Sequence, residues 1–413
     1  MASGSKIDDE LSRTNMPIQR AIMYALDSVE MRMQGIECAI PYLVGTPGGG
    51  KTQMTNKFAL ERGYNFISAS PALERVEKFG GIPDLVHMEN GDLHTVWSVP
   101  QLICEIRKVS ENGKPTVVLL DDWHLCPEEI QQIGFELFTY HSLNGHKIPE
   151  NAQFILAGNE TSAAGARVQL SAIRNRCVNY RVFSDPEYWI DNYAAPKGIH
   201  DIGISFFSSK DHFTLFHEEE ATSHQFGSPR SWTHAFIQLT WAENNEKYHA
   251  VDPRTKKTGL PIADLQAILE GSVSKKAAAK FIEYYRIYRE VNATKIFDTG
   301  KYVIPEKNIN RFAFASAICA EFYHRFTSGK RKKEAAHLFV SIMNDLQTHS
   351  REIAVKTLRT IAKKPKVEEF DKIKGAKAYS GAEILTEIIK AGILDLKLVD
   401  DLRQTVALLN ADK

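Results

Sequence analysis

The sequence predicts an α/β fold built on a parallel sheet that presents a phosphate-binding loop, and three stretches carry that expectation. Residues 45–52 read Gly-Thr-Pro-Gly-Gly-Gly-Lys-Thr, a full G-x-x-x-x-G-K-[ST] octet. Residues 117–122 read Val-Val-Leu-Leu-Asp-Asp, an apolar run ending in two carboxylates. Residues 153–159 read Gln-Phe-Ile-Leu-Ala-Gly-Asn, a second such run ending in a polar side chain. Apolar runs of this kind suit strands buried on both faces, and open α/β sheets bind ligands at the C-terminal ends of their strands.

The octet has the context it requires. Ala39 to Val44 is apolar enough for a buried strand, and Gln53 to Arg62 places Met54 and Phe58 four apart, with Gly63 as a C-terminal stop. Between them Gly45, Thr46, Pro47, Gly48, Gly49 and Gly50 form a loop whose backbone N–H groups can turn inward around phosphates, where side chains would clash. The helix N-terminus adds partial positive charge. Lys51 is expected to reach the β- and γ-phosphates, and the Thr52 hydroxyl to ligate Mg²⁺. The expected cofactors are therefore a nucleoside triphosphate and Mg²⁺.

Hydrolysis needs more than a loop: an acid for the metal, a group that orients water, and a cation for the transferred charge. Asp121 is the candidate metal ligand and Asp122 the candidate for polarising water; the bland alternative is a strand ending in a solvated acidic turn. Pro127 fits the first turn of a helix whose Ile130, Ile133, Leu137 and Phe138 share a face, and Asn144 to Pro149 reads as a tight hairpin. Asn159 can position water near a γ-phosphate, or simply belong to a turn. Arginines follow in Ser171-Ala172-Ile173-Arg174-Asn175-Arg176-Cys177 and in Gly227-Ser228-Pro229-Arg230-Ser231-Trp232. Arginine suits bidentate phosphate recognition, although a single one is ordinarily a surface ion-pair partner.

Bulk properties narrow the field. At 413 residues the chain exceeds one core and implies two or three domains. With 51 basic and 51 acidic residues, no global field draws it to nucleic acid or to an anionic membrane. No apolar run approaches a membrane span, and the N-terminus lacks a signal-peptide pattern. The 5 cysteines are scattered and form no C-x-x-C pair, which points to reduced thiols in a cytoplasmic setting. His124 and Cys126 lie close together but lack a second ligand pair at zinc spacing.

In order and rough spacing, the octet, the Asp121-Asp122 strand, the Asn159 strand and the two arginine segments resemble the AAA+ ATPases, and within them the MoxR-like branch, over about residues 15–290. The resemblance implies a P-loop AAA+ αβα sandwich with a parallel sheet, followed by a helical lid and a helical C-terminal region. It implies that Asn159 is sensor 1, Arg176 the arginine finger (with Arg174 as the alternative) and Arg230 sensor 2. The hairpin at 143–150 is similar to the branch's insert. Glu77 to Pro83 resembles a segment facing a ring's central pore, which would make Phe79 a substrate contact; otherwise Phe79 is a core aromatic. A finger acting between subunits implies a homo-oligomer, and the resemblance implies a hexameric ring. The branch is viewed as chaperone-like, with protein partners that often carry a von Willebrand A domain. One departure matters: the family usually has Glu where this chain has Asp122, one methylene shorter.

The expected organisation is a flexible leader at 1–14, a nucleotide-binding αβα domain at 15–186, a helical lid at 187–290 and a C-terminal helical domain at 291–413 of unknown role. Ala242 to Leu260 reads as a polar, exposed excursion. Phe314, Ile318 and Phe322, like Ile384, Leu385, Ile388 and Ile389, fall at helical spacing and read as packing faces. The leading functional expectation is an ATPase that remodels or assembles a protein partner in a ring. The alternatives are a nucleic-acid-directed AAA+ accessory, such as a helicase loader or phage replication factor, kept open by Lys330-Arg331-Lys332-Lys333, and a slowly hydrolysing nucleotide-gated scaffold, motivated by Asp122.

Overall fold

A computed structural model describes residues 15–89, 91–159, 167, 169–217, 225–251, 258–327, 332–363 and 380–390. The expected leader at 1–14, Lys330 and Arg331 of the basic run, and residues 391–413 lie outside the described residues. The chain divides into two compact units, Met1–Asp185 and Pro186–Lys413.

In the first unit, β1 (Met16–Pro17) leads into α1 (Ile18–Met33), and β2 (Ile40–Gly45) into α2 (Lys51–Glu61). The chain continues through β3 (Asn65–Ala69), a short helix at Val76–Gly80, and a hairpin of β4 (Pro83–His87) and β5 (Leu93–Trp97). Then come α3 (Gln101–Ser110), β6 (Thr116–Leu120), α4 (Glu128–Tyr140), a small hairpin of β7 (Ser142–Leu143) and β8 (His146–Lys147), β9 (Ala152–Gly158) and β10 (Cys177–Phe183). The expected strands and helices are present, with ends shifted by a residue or two, as is usual at fraying termini. Asn144 and Gly145 both adopt positive φ (50° and 81°), the requirement of a tight two-residue hairpin turn.

Six strands form one parallel sheet in the order β1-β10-β2-β9-β6-β3. Parallel neighbours need crossover connections, which place helices on both faces. Val118, Leu120, Phe154 and Leu156 pack with Ile103 and Ile106 of α3 and Ile130 and Leu137 of α4. Val117, Leu119, Ile155 and Ala157 pack with Ala21, Ile22, Ala25 and Leu26 of α1 and Ala59 of α2. This is an αβα sandwich of P-loop type. Alternate residues of one strand therefore enter separate cores, so the apolar runs show no polar gaps. Each such aliphatic side chain contributes about 1.5–3 kcal/mol by burial. The strand order also sets β2, β9 and β6 side by side, with Val44 opposite Gly158 and Leu120 opposite Leu156. The three polar strand ends of the sequence are thereby brought to one edge.

Phe79 is a core residue, 4% exposed and packed among the residues between the sheet and α4. What stands out instead is the β4–β5 hairpin, where every residue of both strands is exposed. Leu85, Val86, Leu93, Val96 and Trp97 are among its exposed apolar side chains. Its base is tied down: Ile82 N–H donates to Ser98 Oγ (2.8 Å), Asn144 Nδ2 donates to the Gly80 carbonyl (2.7 Å), and His146 Nε2 donates to the Trp97 carbonyl (2.8 Å).

The second unit is helical, with one hydrophobic core to which residues of both 187–290 and 291–413 contribute. Rings dominate its centre. Phe206 lies 4.9 Å from Phe207, 5.2 Å from Phe281, 5.5 Å from Tyr284 and 5.9 Å from Trp232 between centroids. The Gly227-to-Trp232 segment opens the helix Pro229–Glu243. Ser228 and Ser231 form a reciprocal capping box, Pro229 occupies the first turn and Trp232 is fully buried. The stretch expected as an exposed excursion is anchored at both ends, since Ala242 and Leu260 are buried in the core. Within it Ala250–Val251 pairs antiparallel with Thr258–Gly259.

Candidate functional site

The loop between β2 and α2 bends where Gly48 and Gly50 take positive φ (71° and 89°), a conformation that disfavours any side chain. Gly50 caps α2 without any side-chain hydrogen bond. The first N–H groups of a helix lack intrahelical partners, so this end can accept a phosphate oxygen. Ser184 Oγ, following β10, donates to the Gly49 carbonyl (2.5 Å) and braces the loop.

Lys51 is 7% exposed and lies across the mouth of the loop. Its Nζ donates to the Gly45 carbonyl (2.9 Å), the Thr46 carbonyl (3.0 Å) and Asn159 Oδ1 (3.0 Å). Thr52 Oγ1 donates to Asp121 Oδ2, joining the first turn of α2 to the end of β6. Asp121 Oδ1 accepts the Asp122 N–H (2.9 Å). Asp122 adopts the left-handed conformation (φ 53°, ψ 29°), which Asp tolerates better than most residues, and its Oδ2 accepts from Ser70 Oγ at 3.5 Å, the outer limit of a hydrogen bond. On the far side Asn159 Nδ2 meets His124 Nε2 at 3.2 Å. Burial lowers the His124 pKa; Asp122 and Asp121 oppose that shift, and Lys51 reinforces it. Two residues on, Cys126 is fully buried, and that burial pushes its thiol up to about 12.

Five expected site elements thus converge: the loop Gly45–Gly50, Lys51, Thr52, the Asp121–Asp122 pair and Asn159. Ser70, Ser184 and His124 join them, and no local pattern announces these three; they arrive by strand adjacency or by a turn. Among the described residues no group of three or more His, Cys, Asp or Glu side chains is arranged to hold a metal ion. The Thr52–Asp121 pair fits Mg²⁺ nonetheless, because that ion keeps several waters and takes only one or two protein oxygens beside substrate phosphates.

Arg174 is exposed. Arg176 is half-buried; its Nη1 donates to the Ala172 carbonyl (2.9 Å) and its guanidinium lies 4.4 Å from the Phe135 ring centroid. Arg230 is exposed in the first turn of its helix in the second unit.

No protein-family profile matches the sequence, and no curated protein does. Solved structures of Thermotoga maritima RuvB are similar to it. One, a Holliday junction branch migration motor, is 16% identical over 68% of this chain and 74% of that chain, with a TM-score of 0.28. A variant of the same protein is 14% identical over the same shares, with a TM-score of 0.33. Superpositions this loose assign no residue a role. Among the described residues no helix is long and apolar enough to cross a membrane.

Proposed function

We propose that the chain is a Mg²⁺-dependent ATPase of the AAA+ type, in the MoxR-like branch, that works as a homo-oligomeric ring on a protein partner. The observation that carries this reading is the convergence of Lys51, the Thr52–Asp121 pair and Asn159 at the ends of three adjacent parallel strands. ATP supplies the phosphoryl group, and Mg²⁺ would be held by Thr52 and Asp121. The chain's own residues do the rest. The loop N–H groups and Lys51 hold and neutralise the phosphates, Asp122 draws a proton from the attacking water, and the Asn159 amide orients that water. The Asp122 carboxyl hangs on a short side chain, which favours slow turnover.

In this reading Arg176, or the more exposed Arg174, completes a neighbouring subunit's site. Arg230 reaches nucleotide from a lid at 187–290, and 291–413 forms a further helical domain. The exposed apolar residues of the β4–β5 hairpin support contact with a protein partner better than the buried Phe79 does. A partner with a von Willebrand A domain is the kind the resemblance implies.

The test is the ATPase rate per subunit against protein concentration. We expect a rate that rises with concentration and falls by on the order of 10²–10³-fold in Lys51→Ala. A concentration-independent rate would remove the shared site. Tight ATP binding with negligible turnover would convert the protein into a nucleotide-gated scaffold.

A further inference from the structure

The hydrogen bonds around Asn159 fix more than its own position. Lys51 Nζ can only donate, so the Asn159 atom 3.0 Å from it is the amide oxygen. The amide nitrogen therefore faces His124 Nε2 at 3.2 Å, and an amide nitrogen can only donate. Nε2 must then be an acceptor, which makes the imidazole neutral with its proton on Nδ1. That Nδ1 is buried and has no hydrogen-bond partner among the described residues. A buried donor left unmade is costly.

We propose that His124, as the neutral Nδ1-protonated tautomer, is a positioning residue that accepts the Asn159 amide N–H and keeps the Asn159 carbonyl oxygen turned toward the phosphate loop. The inference rests on the ATPase reading and deepens it. When Lys51 turns to the phosphates, its bond to Asn159 is released and His124 alone holds the amide plane. The freed oxygen then stays aimed as an acceptor for the attacking water. His124 itself is held by the turn after Asp122 and by its carbonyl, which accepts the Arg167 N–H (2.8 Å).

Two measurements on the full chain test this. In nucleotide-free protein labelled with ¹⁵N-histidine, the resonance lost in His124→Gln should report a protonated Nδ1 and an unprotonated Nε2 at neutral pH. An Nε2–H tautomer or an imidazolium there would overturn the proposal whatever the activity. In steady-state kinetics, His124→Leu should lower kcat by about tenfold, the scale of one hydrogen bond, with KM unchanged. His124→Gln, whose carbonyl can still accept, should restore most of that loss. Adding His124→Leu to Asn159→Ala should cost nothing further. Equal losses in the Leu and Gln variants, or additive losses with Asn159→Ala, would reduce His124 to a packing residue. A wild-type protein without turnover would instead refute the ATPase reading, and the tautomer would still decide this one.

Discussion

The core of the first unit is largely aliphatic, laid in two thin layers on either side of six parallel strands. The core of the second unit is built around rings, with Phe206, Phe207, Trp232, Phe236 and Phe281 in mutual contact. A sheet fixes where each strand stops, so polar residues at strand ends are delivered to one edge with little freedom. A ring cluster fixes a volume, and it can be satisfied by many sequences. The first kind of order holds chemistry in register, while the second supplies packing without prescribing a site.

The contrast can be broken most directly at Phe206. Phe206→Ala should destabilise the second unit by about 3–5 kcal/mol. Unfolding by denaturant should show this in the transition of the second unit, with that of the first little changed. A matching shift in both transitions would mean the two cores are not independent.

A smaller effect is expected from overpacking the first unit. A Cβ on Gly134 would lie 2.4 Å from Cη2 of Trp123, which packs against α4, and 3.3 Å from Cε2 of Phe138, one turn further along the same helix. Gly134→Ala should cost about 1–3 kcal/mol, read as a lower melting temperature of the first unit alone. An unchanged melting temperature would show that α4 can slide off the sheet at no cost.

The smallest effect sharpens what the units share. Each sets a histidine against a backbone carbonyl: the half-buried His141 on Pro149 (3.1 Å) and the buried His212 on Phe206 (2.8 Å). Burial lowers both pKa values from the ordinary 6.5, the carbonyl bonds opposing it in each case. The native state therefore binds fewer protons than the unfolded chain. That stability is present above about pH 6.5 and is lost as pH falls through the depressed values. Both transitions should weaken together on mild acidification, and His212→Asn should remove the dependence from the second unit only. An acid response confined to one unit would contradict this.

Much of the first unit was readable from sequence because backbone geometry dictates residue type there. Gly50 must tolerate φ 89°, Lys51 and Thr52 must follow it, and β6 from Val117 and β9 from Phe154 must be apolar to their ends. Ser184 and Ser70 were not readable. Ser184 reaches Gly49 because β10 lies next to β2, and Ser70 faces Asp122 because β3 lies next to β6, contacts set by strand order alone. His124 lay in plain view, two residues after the acidic pair, yet only the orientation of the Asn159 amide gives it a task. The β4–β5 hairpin escaped because its exposed residues mix apolar and polar types on both faces, without the alternation that a half-buried strand imposes. Phe79 shows the same limit in reverse: the sequence leaves a pore contact and a core aromatic both open, and only the burial of the side chain decides for the core.

The anchoring of that hairpin has a mechanical consequence. Its strands extend five residues beyond the base, about 17 Å, and both ends of the base are fastened to the smaller β7–β8 hairpin, Gly80 by Asn144 of its turn and Trp97 by His146 of β8. The two hairpins make a lever with its fulcrum at Asn144 and His146. A tilt of about 10° at the fulcrum would sweep the far end of the strands by about 3 Å, so a small adjustment at the end of α4 arrives there enlarged.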